Sequence, residues 1–230
     1  MNDSSPPEIL APAGNRASFL AAVAAGADAV YSGLKLFSAR MEAKNFTLEE
    51  FAALVRLAHQ KGVQVFVALN ALLKPGDLAR AGHMLEQLQR RVKPDAVIIQ
   101  DLALVSLVEQ TGFSGQVHLS TLANASFSKA LQLLRRRLQV DRVVLPRELN
   151  IDELKTLARH CPRGLDLEVF IHGALCYSVS GRCYWSSYLG GKSSLRGRCV
   201  QPCRRRYTQG SQKHRYFSCR DFSVDVLAKL

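Results

Sequence analysis

Four cysteines crowd into one glycine-broken stretch: Cys176, Cys183, Cys199 and Cys203, spaced by 7, 16 and 4 residues. Gly181, Gly197 and Pro202 interrupt the chain between them, so the stretch reads as loop wrapped around something. Thiolates gathered on a loop bind a metal, form disulfides or do redox chemistry. Two Cys-x-x-Cys pairs would mark a zinc ribbon, and that spacing is absent. The set suits zinc or an iron–sulfur cluster, and residue chemistry leaves that choice open. Cys161, at the end of a helical run before Pro162, reads as a plain thiol. Cys219 reads as a fifth ligand, a replacement ligand or a free thiol. The N-terminus, Met1 to Pro7, has no basic region followed by an apolar one. No apolar run reaches the roughly eighteen residues of a membrane span. A cytoplasmic chain without a membrane span is therefore expected, and in that reducing compartment clustered cysteines mark metal or redox chemistry more often than disulfides.

The charge is placed as unevenly as the cysteines. The chain carries a formal +12, yet Val169 to Arg220 contains no Asp or Glu and ten cations. The remainder is nearly neutral, with 21 cations against 19 anions. Five of the six tyrosines and Trp185 fall in the same span. Cations meet phosphates and rings stack on bases, so this composition points to a nucleic acid, with Arg196, Arg198, Arg204, Arg205 and Arg206 as the binding candidates. The competing reading is a solvated basic face that offsets the negative charge of a thiolate-bound metal.

The elements that must position this stretch precede it. Short β-branched runs at 8–12, 28–32, 63–69, 96–99, 116–120, 142–145 and 165–171 read as strands. Helical segments are expected at 16–25, 47–60, 77–91, 102–110, 123–138 and 151–160, with Thr47 and Glu50 forming a capping box and Asn150 capping the last. Seven alternations with short connections predict an α/β, TIM-barrel-like (β/α)n fold, incompletely closed, with a cysteine-rich insertion after strand 7. An open doubly wound sheet is less favoured because no phosphate-binding glycine fingerprint follows the first strand. Residues 1–172 are expected to form the barrel, 173–215 a basic metal-binding segment, and 216–230 a last extended segment and the start of a helix. Within that tail, 216–219 reads as extended and 224–230 as helix.

In such a barrel chemistry sits at the carboxyl ends of the strands. Asn70, Gln100, Asp101, His118, Ser120, Arg147, Glu148, Glu168 and His172 fall at or near those ends. Asp101, Arg147, Glu168 and His172 are the catalytic candidates. Asp101 equally suits a helix cap, and Arg147 with Glu148 an ion pair. His118, inside a strand, reads as a packed core histidine. Glu168, buried in the seventh strand, must be paired or hydrogen-bonded.

The run Glu168-Val-Phe-Ile-His-Gly-Ala-Leu-Cys176, then Gly181-Arg-Cys183 and Ser186, resembles the signature of the peptidase U32 family. Arg198-Cys-Val-Gln-Pro-Cys203-Arg204 resembles its second cysteine pair. Leu10–Gly14, Gly26–Tyr31, Leu69-Asn70, Gln100-Asp101, Leu119–Thr121 and Arg147–Leu149 extend the likeness over about residues 8–206. Trp185 departs from it, standing where the family has an aliphatic residue, and family members usually continue past the end of this chain. The resemblance implies that Cys176, Cys183, Cys199 and Cys203 hold a 4Fe–4S cluster. It implies oxygen-independent hydroxylation of a pyrimidine in rRNA or tRNA, nearest to the members that make 5-hydroxycytidine or 5-hydroxyuridine, with a small-molecule oxygen donor. Ubiquinone precursors are the family's other hydroxylation substrate, and the basic aromatic span agrees better with RNA. Two alternatives remain: a peptidase, as the family name has it, and a non-catalytic zinc-stapled RNA-binding domain. For the peptidase, no Gly-x-Ser-x-Gly or His-Glu-x-x-His occurs. A Cys176–His172 pairing is the remaining nucleophile arrangement.

Overall fold

Parallel strands must be joined by crossovers, and each crossover here carries a helix over the sheet. The computed structural model describes residues 6–41, 44–174, 176, 178–214 and 221–223. Strand β1 is Leu10–Pro12, followed by α1 (Arg16–Ala24), β2 (Ala29–Gly33), α2 (Leu48–Gln60) and β3 (Gln64–Leu69). Then come α3 (Leu78–Gln87), β4 (Ala96–Ile99), α4 (Ala103–Thr111), β5 (Gln116–Leu119), α5 (Ser128–Leu138), β6 (Arg142–Val144), α6 (Ile151–Arg159) and β7 (Asp166–Glu168). All seven strands lie parallel in the order β1 to β7.

The period-two alternation of each strand builds two cores. Val30, Val65, Val67, Val97, Ile99, Val117, Leu119 and Val143 pack beneath the helices. Ala29, Phe66, Ala96 and Ile98 face the other way and pack with Leu10 and Tyr31 inside the curl. Continuing that alternation, His118, Arg142 and Glu168 take inward positions on β5, β6 and β7. Arg142 Nη2 reaches Glu8, just before β1, at 2.8 Å, and Asp166 at 3.3 Å. A contact from the start of β1 to β6 requires the sheet to curl until its edges face each other. The result is a half-barrel with a seam between β1 and β7.

Local sequence explains most boundaries. Thr47 with Glu50 and Asn150 with Glu153 make complete capping boxes, each satisfying two otherwise orphaned N–H groups. Phe19, Phe46 and Phe51 meet edge-on or tilted, with centroids 5.7–6.4 Å apart, and lock α1 and α2 to the sheet.

Three expectations needed correction. The fifth helix begins at Ser128, not 123: Thr121–Ala123 is one 3-10 turn, and Asn124, at φ 54°, breaks the run. The third helix passes at Leu88–Val92 into a π-helical turn. The apolar run 165–171 does not stay in one strand. Among the described residues β7 is a sheet edge whose only partner, β6, ends at Val144, and the ladder stops at Glu168. His172–Ala174 forms a separate strand, β8, followed by the short helix α7 (Trp185–Gly190) and the hairpin of β9 (Tyr207–Gln209) with β10 (Gln212–His214). β8 pairs antiparallel with β11 (Asp221–Ser223). Residues 216–219, Cys219 and 224–230 lie outside the described residues.

Candidate active site at the carboxyl end of the barrel

The cysteine-bearing segment lies over the loops that follow the strands. Met41 N donates to the Gly197 carbonyl at 2.8 Å, and Leu72 N to that of Leu195 at 2.8 Å. Ser180 donates from its backbone N to Glu148 Oε1 and from its hydroxyl to Glu148 Oε2. Two glycines make the fit possible. A Cβ at Gly181 would overlap the Leu122 carbonyl, and one at Gly197 the Ser38 carbonyl. Both also sit at positive φ, 70° and 78°, which L side chains rarely adopt. Loops after β2, β3, β5 and β6 therefore all touch the segment.

Beneath it, Tyr31 in β2 interacts electrostatically with Arg147, in the loop after β6, and with Glu168, at the end of β7. Glu168 is largely buried, and its Oε2 has no hydrogen-bond partner. Burial pushes its carboxyl up to about 7, the nearby Arg142 opposing and Glu8 adding. Tyr31 is raised by burial, opposed by Arg40 and Arg147. Arg147 is lowered by burial, while Cys176 and Tyr31 favour its charge and Arg40 opposes it. The Arg147 guanidinium lies 3.7 Å from the centre of the Phe170 ring, which holds it flat at the mouth. A carboxyl poised near neutrality beside a buried phenol and a guanidinium can hold or pass a proton and orient a polar ring.

The other candidates divide. Asp101 accepts from Leu73 N at 2.9 Å and from Ala103 N at 3.0 Å, so its carboxylate braces the loop after β3 and the start of α4. Arg147 and Glu148 turn to different partners, Phe170 and Ser180, and form no ion pair with each other. His118 is fully buried in the lumen, edge-on to Phe66 at 4.6 Å, with Nε2 against Gln116 Oε1 at 2.8 Å. Burial, then Arg142, lowers its pKa to about 3, so it stays neutral. His172 and Cys176 are exposed and make no hydrogen bond to each other. Arg196, Arg198, Arg205 and Arg206 are exposed and have no acidic partner among the described residues; Arg204 is half-buried.

Cys176, Cys183 and Cys199 are free thiols, and the donor chemistry of these three together with Cys203 suits a soft metal or an iron–sulfur cluster. Ser186 Oγ lies 3.8 Å from Cys199 Sγ, and Ser194 Oγ donates to the Cys183 carbonyl at 2.6 Å. Among the described residues, however, no three Cys, His, Asp or Glu side chains converge as a metal site. The arrangement of the described residues therefore does not present a formed metal site. Cys161 is apart from this set, donating to the Leu165 carbonyl at 3.2 Å with its thiol pushed up by burial.

Tyr31, Arg40, Phe170 and Arg142 are the site and lumen residues that sequence reasoning passed over. Tyr31 puts a polar tip on an inward strand position, and Arg142 opens an apolar strand on its inward phase. Those two signals were readable; the placement of Arg40 and Phe170 depends on the fold.

A curled parallel α/β half-barrel with its loop ends covered by a cysteine-rich basic segment defines a TIM-like class of protein. The sequence pattern of peptidase family U32 matches residues 14–229, and the chain belongs to that family. It is 37% identical to the collagenase of Porphyromonas gingivalis over 87% of this chain and 50% of that one. It is 35% identical to tRNA hydroxylation protein P of Haemophilus influenzae, over 87% and 43%. It is 36% identical to the 23S rRNA 5-hydroxycytidine C2501 synthase of Escherichia coli, over 92% and 31%. The chain thus spans half or less of the length of these curated relatives. A solved U32 peptidase structure shares the fold, with a TM-score of 0.67 at 18% identity, covering 89% of this chain and 83% of the other. No helix among the described residues is long and apolar enough to cross a membrane.

Proposed function

We propose that this chain carries the catalytic half-barrel of an RNA base hydroxylase acting on a pyrimidine in rRNA or tRNA. One observation carries the reading: an acid-free, arginine-rich segment lies over the strand-end loops, beneath which burial pushes the carboxyl of Glu168 up to about 7. The names of the tRNA and 23S rRNA relatives support it.

In this reading Arg196, Arg198, Arg205 and Arg206 hold phosphates, and an unpaired or flipped base enters the mouth. Arg147, fixed on Phe170, orients the ring. Glu168 holds the proton that leaves carbon when C–H becomes C–OH. The oxygen comes from a small-molecule donor that leaves reduced by two electrons. Cys176, Cys183, Cys199 and Cys203 would hold a 4Fe–4S cluster, which when bound supplies electron transfer. Asp101 acts as a positioning residue for two loops, and His172 is the exposed candidate of the four.

The test has two readouts on the full chain. Iron and acid-labile sulfide are measured after purification without air, and nucleosides are compared between cells with and without the gene. The proposal expects near-equal iron and sulfide, both lost on Cys199→Ser, and one nucleoside lighter by one oxygen when the gene is absent. Unchanged nucleosides in both rRNA and tRNA would overturn it. Zinc without sulfide would leave a metal-stapled RNA-binding domain. The collagenase relative motivates a gelatin assay. Cleavage that is lost on Cys176→Ser but survives iron removal would favour a peptidase.

A further inference from the structure

Helix α7 presents one side to the protein and the other to water. Ser186 is fully buried; its hydroxyl lies 3.8 Å from Cys199 Sγ and accepts from Val200 N at 3.3 Å. At about 100° per residue, Tyr184 and Tyr188 each stand on the side opposite Ser186. They are four apart, linked by the Tyr188 N to Tyr184 carbonyl bond at 3.0 Å, so their rings are neighbours on one face. Tyr184 is 71% exposed and Tyr188 87%. Among the described residues neither side chain makes a hydrogen bond. Two adjacent large rings left in water are a surface awaiting cover.

The surroundings indicate what covers them. α7 packs on the turns Ser194–Arg196 and Pro202–Arg204, and Arg182 and Lys192 flank it in sequence. No acidic residue lies anywhere in this part of the chain. A second copy laid on this face would set cations against cations. An RNA strand satisfies both features, since its phosphates take the cations and each unpaired base offers a face to a ring.

We infer that Tyr184 and Tyr188 form a stacking platform for two unpaired bases of a single-stranded RNA segment. The inference rests on the RNA reading above and adds the subsite that recognises single-stranded character. Stacking tolerates any base, so the platform selects unpaired RNA rather than a sequence, and the choice of base is left to the residues around Arg147 and Glu168.

The experiment measures binding of a short cytidine- and uridine-containing single strand, and of its duplex, to the full chain over a range of salt. Tyr184→Ala and Tyr188→Ala should each weaken single-strand binding by roughly 5-fold or more, with an unchanged salt slope. Tyr184→Phe and Tyr188→Phe should bind as the parent does, because the ring and not the hydroxyl stacks. Arg196→Gln should instead flatten the salt slope by about 0.7. Alanine variants that bind normally while Arg196→Gln is weakened would overturn the platform and leave the RNA reading standing. A parent chain that binds no RNA would sink both. A dimer that dissolves on Tyr188→Ala would overturn the inference in favour of self-association.

Discussion

The half-barrel and the segment that covers it are held by different forces. Every buried large apolar residue among the described ones lies at or before Leu165. After 173, the described buried residues are Ser180, Ser186, Gly197 and Pro202. The barrel is stabilised by excluding water from two cores. The covering segment is held by serine hydrogen bonds and by glycines that let backbones touch, and its described residues form no apolar core of their own. A loop that leans on a neighbour instead of on itself can open at low cost. It is also the kind of structure that a bound metal staples. Under the function proposed above, the contrast pairs a rigid floor carrying Glu168 with a cover fastened at a few polar points, as admission of an RNA strand would need.

Four substitutions would break or sharpen that contrast. The largest effect is expected from Phe51→Ala, which empties a fully buried site between α2 and the sheet. It should cost about 3–5 kcal/mol in urea unfolding, with barrel and cover lost together. Next is Glu168→Gln, read through pH. The folded pKa lies near 7, above its ordinary 4.5, so the native state holds the proton more tightly than the unfolded chain. Its contribution is most favourable below pH 4.5 and is lost as pH rises to about 7, a span worth about 3 kcal/mol. Stability measured as parent minus variant should therefore fall through that window and be level above it; a level difference throughout would contradict the buried, unpaired carboxyl.

Gly181→Ala is the opposite case to Phe51→Ala. A Cβ there meets the Leu122 carbonyl, and φ is 70°. It should open the cover at a local cost of about 1–3 kcal/mol while the barrel melts nearly as before. Amide exchange that quickens within 178–206 alone would show this, and a matched global loss would mean the two regions fold as one. The smallest effect is expected from Glu8→Gln. Glu8 is half-exposed, so its link to Arg142 across the seam should be worth about 1 kcal/mol or less, and less still at high salt.

The strand and helix pattern was legible because it rests on local chemistry. Alternating β-branched residues, the Thr47 and Asn150 caps and the even spacing predict seven parallel strands, and seven are present. The acid-free span and the clustering of the cysteines are likewise properties of the chain alone. The run 165–171 misled because residue types carry no information about a partner strand: the ladder ends where β6 ends. Asp101 and Arg147 were legible as strand-end polar residues. That one braces two loops while the other lies on Phe170 depends on neighbours 28 and 23 residues away in sequence. Glu168 could be seen to be buried, yet its titration near 7 comes from the lumen assembled around it. The spacing of the cysteines was fixed by the sequence; their separation in the described fold was not, because glycine-rich loops take their path from the surface they dock on. Sequence by itself determined the order and type of the strands and helices up to β7, the family signature and the basic span, since each follows from residue type and period. Only the tertiary structure decided which of those residues meet, because curling a sheet brings together side chains that the chain order keeps far apart.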